Sequence, residues 1–343
     1  MTTVKIKFLI ALCSALFLAS PALAQNKVYL YTWDNYIAPE VFKAFEKETG
    51  IQVVADVFSN GDALIAKLKA GGGYDVVTPS GNYIPQMAAE GLLKPLPESI
   101  KQLGATLAKN VQTPEYDRGY AHAMPLFYGT TSIAVNTKTM GEEITSWQQF
   151  FNRPAGEKPT LGMLDEVVDV MALASMTLGI PLCDDKSESY KAIQALLMKQ
   201  KPFVKVYGAT GYTERMAAGE TAMQMAWNGD VYRARRQNPA LKYIYPKEGI
   251  ELWVDNLAIP ATSKNTGAAE KFIAFVLRPD NMAAYSRASG MMPAVAAARE
   301  KLPKDMRDAP ELNIPPGIRV EVSRACPAAV VKAHAKIWSE LMR

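Results

Sequence analysis

Between Lys27 and Leu96 the chain passes three times from a short apolar strand pattern to an amphipathic helix pattern, and few folds accommodate that. Val28–Thr32 reads as a buried strand. The helix after it opens at Pro39, carries Val41, Phe42 and Phe45 on one face, and stops at Gly50. Ile51–Phe58 is a second strand, rich in β-branched residues, and Asp62–Ala70 a second helix ended by Gly71-Gly72-Gly73. Tyr74–Thr78 is a third strand. It leads through the polar turn Pro79-Ser80-Gly81-Asn82-Tyr83 into a helix over Ile84–Glu90. Three βα units this short require a mostly parallel sheet with helices on its faces. Open sheets of this kind hold ligands at the C-terminal tips of their strands. Here the first tip presents Trp33-Asp34-Asn35-Tyr36 and the third Ser80–Tyr83, on one rim.

Residues 97–120 read as irregular, and Ala121–Pro125 and Thr131–Asn136 as strands, the second placed to cross into another lobe. A second α/β set follows: a strand over Thr160–Leu164, a helix over Asp165–Gly179, and a helix over Tyr190–Gln200. Next come a helical turn over Glu214–Ala218 and a strand over Thr221–Ala226 with Trp227-Asn228-Gly229-Asp230 at its tip. Tyr243–Tyr245 and Glu251–Ile259 read as strands, and Ala268–Leu277, Asn281–Ser289 and Pro327–Leu341 as helices. The pattern predicts an α/β chain of two lobes joined by extended crossings, with no repeat and no linker. A chain of 343 residues is long enough for two cores.

The N-terminus predicts export. Lys5 and Lys7 precede an apolar run over Phe8–Ala19, and Ala22-Leu23-Ala24 forms a small-x-small cleavage pattern that makes Gln25 the mature start. The apolar run is shorter than the roughly 20 residues a membrane span needs. Removing this leader takes two lysines from a chain of net charge +4 and leaves it close to neutral. Without a basic block, nothing points to nucleic acid or an anionic membrane as a partner. Cys183 and Cys326 remain. In an exported chain such a pair favours a disulfide over a metal site, though sequence alone leaves open whether the two meet.

Most enzyme templates fail. His122 and His334 stand alone, without a second His or Cys at ligand spacing, so neither a zinc centre nor any other metal is expected. There is no Gly-x-Ser-x-Gly, and the glycines at 71–73 lack the Lys-Ser/Thr of a phosphate loop, so no cofactor is expected either. A hydrolase built only on carboxylates stays open as the alternative class. Three of the five tryptophans lie within three residues of an aspartate at a strand end: Trp33 with Asp34, Trp227 with Asp230, Trp253 with Asp255. Any one pair is commonly a core indole beside a solvated acid. Three pairs in two lobes suggest a box for a small organic cation. Carboxylates hold its ammonium groups, and a desolvated cation over an aromatic face gains ~2 kcal/mol. Trp253 and Asp255 share one strand face. Asp169 sits at a helix start, where an acid also simply suits the helix dipole.

Taken together, these segments resemble the periplasmic polyamine-binding (spermidine/putrescine-binding) proteins of ABC importers. The resemblance rests on Tyr31-Thr32-Trp33-Asp34-Asn35-Tyr36-Ile37-Ala38-Pro39, Phe45–Ile51, Asp75-Val76-Val77-Thr78-Pro79-Ser80, Trp227-Asn228-Gly229-Asp230, Trp253–Pro260 and Leu277-Arg278-Pro279-Asp280, and spans the mature chain. It implies a type II periplasmic-binding fold, a Venus flytrap of two lobes each built on a mostly parallel sheet. The expected lobes are residues 25–132 with 256–302 and residues 133–255 with 303–343. It also implies a monomeric, non-enzymatic receptor in the periplasm that hands a polyamine to a membrane permease. Agmatine, cadaverine or an amino acid-like amine are the other cations that fit.

The ligand contacts implied are Trp33, Tyr36, Ser80, Glu166, Asp169, Trp227, Asp230, Trp253 and Asp255, with Asp255 on an amino group and the tryptophans along the methylenes. The chain departs from the pattern where Asn35 replaces an acid, the acid standing one residue earlier at Asp34. It departs again where Met291 replaces a pocket tyrosine and Ile314 an aromatic residue. Those positions bear on how many amines are held and how far apart.

Overall fold

A computed structural model describes residues 26–343 apart from 155, 157 and 159; the expected leader and its cleavage point lie outside the described residues. Eleven strands form one continuous sheet: β1 (Lys27–Trp33), β2 (Gln52–Phe58), β3 (Val76–Val77), β4 (Ala123–Asn136), β5 (Leu161–Met163), β6 (Val204–Tyr207), β7 (Met223–Trp227), β8 (Leu241–Ile244), β9 (Ile250–Ala258), β10 (Met292–Pro293) and β11 (Val320–Val322). The main path runs β2-β1-β3-β9-β4-β7-β5-β6. At one end β2, β1 and β3 are parallel, and at the other β7, β5 and β6 are parallel. Between them β9 and β4 run antiparallel to each other and to the strand beside each. Two parallel α/β sets are thus joined by a two-stranded antiparallel crossing, with helices packed on both. This is the type II periplasmic-binding fold.

The first set forms as the periodicity dictates. The helix Pro39–Thr49 buries Val41 and Phe45 and ends at Gly50, whose φ of 69° is left-handed. Phe45 meets Phe272 and Phe275 edge-on, locking the helix to Thr266–Val276. The second set centres on the helix Val167–Leu178, which is buried along nearly its whole length and so reads as apolar all round.

The structure differs from the sequence reading in several elements, β10 and β11 among them, which no pattern announces. The strands expected at Ala121–Pro125 and Thr131–Asn136 are one strand, β4; Pro125 looked like a stop but sits at a bulge, where a missing N–H costs no ladder bond. The tip Trp227–Asp230 continues into a helix, Asn228–Gln237, that Gly229 disguised as a turn. β6 was hidden among lysines, and the short helix Trp147–Phe151 was missed although Ser146 caps it. Cys183 and Cys326 form a disulfide, tying the loop after Val167–Leu178 to the start of the helix Ala328–Leu341.

Candidate functional site

Where the crossing strands carry the chain between the two sets, the strand tips enclose a cavity of about 310 Å3. Ten of the twelve expected residues line it: Trp33, Asn35, Tyr36, Ser80, Glu166, Asp169, Trp227, Trp253, Asp255 and Met291. Each arrives by a distinct local device. Trp33 ends β1 and Tyr36 closes the short 3-10 turn after it. Ser80 starts the turn after β3 and bridges directly to Asp255 on β9. Glu166 and Asp169 flank the first turn of the helix Val167–Leu178. Trp227 ends β7, and Trp253 and Asp255 alternate inward from β9.

The carboxylates are held, buried, and unmatched by cations. Asp255 accepts from the Tyr36 hydroxyl at 2.5 Å and from Ser80 Oγ. Asp169 accepts from Thr131 Oγ1 and from the Trp227 indole N–H, both at 2.8 Å. Glu166 accepts from the Gly61 backbone N–H at 3.0 Å and from the Tyr83 hydroxyl. No lysine or arginine is among the lining residues. Burial therefore pushes Asp255 up to about 7 against the pull of its two hydroxyl donors, and Asp169 up to about 6. Glu166 rises to about 8, through burial first and the neighbouring Asp169 second. Ammonium groups are what such a set lacks.

The tryptophans form the walls. Trp33 and Trp227 meet edge-on across the cleft, centroids 5.6 Å apart at 66°. Trp253 lies over Gly129 of β4, where a Cβ would fall 2.4 Å from the indole Cζ2 and 2.6 Å from Asn228 Oδ1. The absent side chain at 129 is what admits the ring. Met291 packs likewise against Gly229.

Two expected residues lie elsewhere. Asp230 is fully buried beside the cavity, accepting from Tyr212 at 2.7 Å, Thr213 at 3.0 Å and Arg233 at 2.7 Å. Asn35 Nδ2 donates to both of its carboxylate oxygens at 2.8 Å, a bond that spans the cleft from one strand set to the other. Asp34 is exposed and faces an outer cavity of about 530 Å3 that shares Trp33, Asn35 and Trp227 with the inner one. Ile314 is exposed and lines neither cavity.

Sequence reasoning missed Thr131, Gly61 and Gly129, because a hydroxyl in a strand and two ordinary glycines carry no signal of their own. Tyr83 stood in the rim turn that was recognised, but not its bond to Glu166. Among the described residues, no group of three His, Cys, Asp or Glu side chains is arranged to hold a metal ion, and no helix is long and apolar enough to cross a membrane.

The comparisons with known proteins agree with this fold. The model of the family described as bacterial extracellular solute-binding protein matches residues 40–314. The chain is 34% identical over 296 residues to the spermidine/putrescine-binding periplasmic protein 1 of Haemophilus influenzae, covering 85% of this chain and 81% of that one. It is 31% identical over 322 residues to a putrescine-binding periplasmic protein of Escherichia coli, covering 88% and 86%. A solved structure titled as a putative spermidine/putrescine ABC transporter from Listeria monocytogenes superposes with a TM-score of 0.84. It has 30% identity and covers 92% of this chain and 99% of that one.

Proposed function

The chain belongs to the bacterial extracellular solute-binding proteins, and from that premise we propose that it captures an aliphatic polyamine between its two lobes and delivers it to the membrane permease of an ABC importer. Its family is one of receptors and not of enzymes. The observation that carries the ligand class is the cavity lining: three tryptophan faces and three buried carboxylates, with no basic side chain among them. A sulfonate, phosphate or amino acid carboxylate finds no counter-charge there. A flexible diamine or triamine finds both its requirements, acids for the nitrogens and indoles for the methylenes.

Binding proceeds by closure. Ligand settles on Tyr36 and Ser80 of the first rim and on Asp255, which stands at the boundary between the lobes, and Glu166, Asp169 and Trp227 of the second close over it. Only the better contacts of the closed state drive that motion. Each ammonium–carboxylate contact gains ~4 kcal/mol of Coulomb energy at an effective dielectric of ~20, and desolvation returns much of it. Selectivity then rests on matching the spacing of the amines to that of the acids. The relatives' periplasmic location, the leader expected over residues 1–24 and the disulfide support a receptor working outside the cytoplasm. The lobes are taken as residues 25–132 with 256–302, and 133–255 with 303–343.

Titration calorimetry on protein refolded to strip carried-over ligand tests this, with spermidine, putrescine, cadaverine and agmatine as ligands. Saturable 1:1 heats at micromolar concentration or below support the proposal. Silence across all four overturns the ligand class and leaves the fold standing.

A further inference from the structure

The inner face of β9 carries one more residue than the cavity uses. Glu251, Trp253 and Asp255 are spaced by two along a regular strand, so all three point the same way. The register repeats the point on β4, where Thr131, Gly129 and Phe127 stand opposite them in turn. Thr131 is the hydroxyl that donates to Asp169, and across β4 it pairs with Trp227. Glu251 therefore lies in one row with Thr131 and Trp227, on the side of the sheet that Asp169 faces. It is wholly buried, and among the described residues neither carboxylate oxygen has a hydrogen-bond partner.

Among the described residues this carboxylate finds no cation to pair with. From β11, Glu321 stands opposite it, and the two arginines there, Arg319 and Arg324, are drawn to Glu321. From the helix Val167–Leu178 and the residue before it come Asp169 and Glu166, both acids. Ser323 eases its charge weakly without meeting hydrogen-bond geometry. Every charged group facing Glu251 near the cavity is negative, so burial and then Asp169 push its pKa well up.

We infer that Glu251 is a ligand-selecting residue behind the cavity wall, and that it favours a ligand with a third positive charge, a triamine or longer polyamine, over a diamine. The inference rests on the polyamine reading above. Glu251 does not line the cavity; it acts by charge through the row it shares with Asp169. Its Cα is about 13 Å along β9 from that of Asp255, against about 7 Å for Trp253 to Asp255, so it extends the acidic face well past the cavity's near end. With a diamine bound, the two ammoniums are answered by Asp255 at one end and by Asp169 and Glu166 at the other, and Glu251 keeps its proton. A third ammonium beside Asp169 tips that balance, and Glu251 gives its proton to solvent.

The test is calorimetry at pH 7.5 in two buffers of different ionisation enthalpy, with spermidine as the triamine and putrescine as the diamine. The wild-type protein is expected to release about one proton more with the triamine. In Glu251→Gln that extra proton disappears, and the triamine-over-diamine affinity ratio falls about tenfold while the diamine Kd moves less than twofold. Equal proton counts for the two ligands in the wild type, or an unchanged ratio in the variant, overturn the inference. The first of these needs no variant to fold. Absence of any polyamine binding overturns the functional reading and this inference with it; binding with an unchanged ratio overturns this inference alone.

Discussion

At the scale of single residues, the site is a balance between burial and counter-charge. Asp255 accepts one hydroxyl on each carboxylate oxygen, so Asp255→Asn keeps the shape, removes the charge and turns one of the two acceptors into a donor. Loss of a charge-assisted contact of about 2–3 kcal/mol is expected, roughly a 30- to 150-fold rise in Kd for every polyamine. Titration of that variant against the wild type checks it, and an unchanged Kd removes Asp255 from the site.

The raised acids also fix the sign of the pH dependence. Ordinary carboxylates titrate near 4, whereas Asp169, Asp255 and Glu166 do so at about 6, 7 and 8. The ligand-free closed protein thus holds protons that the unfolded chain has released. It is most stable below about pH 4 with respect to these groups and loses that stability as pH rises to about 8. A polyammonium ligand prefers the ionised acids. Its Kd is therefore expected to fall from pH 5.5 to 8.5, with protons released on binding. A series of Kd values that is flat or rises over that range contradicts the assignment.

At the scale of elements, the site depends on β4 more than its sequence discloses. Gly129→Ala places a methyl group inside the Trp253 ring. Overpacking of this kind costs about 1–3 kcal/mol. The indole is expected to swing from the wall, weakening binding about tenfold with unchanged far-ultraviolet circular dichroism. Retained affinity together with unshifted tryptophan emission argues against it.

The same strand shows what was legible. Short apolar runs and period-3.6 patterns exposed the parallel sets, because strands such as β1 and β7 are largely buried and a helix such as Pro39–Thr49 buries one face. Trp33, Trp227, Trp253 and Asp255 announced themselves by pairing an indole with an acid at strand ends. Gly129, Gly61 and Thr131 did not, since their role is to leave room or to donate one hydrogen bond to a partner distant in sequence. The local pattern points to Asp230 as a ligand contact, and in the fold Tyr212, Thr213, Arg233 and Asn35 all bond to its carboxylate. Only the fold brings those four together.

At the scale of the molecule, the two strand sets meet through a narrow seam: Asn35 on Asp230, Gly61 and Tyr83 on Glu166, and Trp33 against Trp227. None of these contacts requires ligand, so they set how readily the empty receptor closes. Asn35→Asp turns the first into a like-charge pair at hydrogen-bonding distance. Closure is then expected to weaken by about 2–3 kcal/mol and ligand to leave at least tenfold faster. Stopped-flow displacement measures this, and the acceleration should be similar for ligands of different length because the contact lies between the lobes. An unchanged off-rate removes Asn35 from the closing seam.

The crossing of β9 into the first strand set bears also on how the molecule comes into being. β3, at residues 76–77, gains its second neighbour only when β9, at residues 250–258, has been made. Until then the N-terminal sheet has a bare edge and no means of closing. Pairings so distant in sequence form late and slowly. A chain that cannot close its first strand set until β9 has been made stays long in a threadable state, which suits the export proposed above.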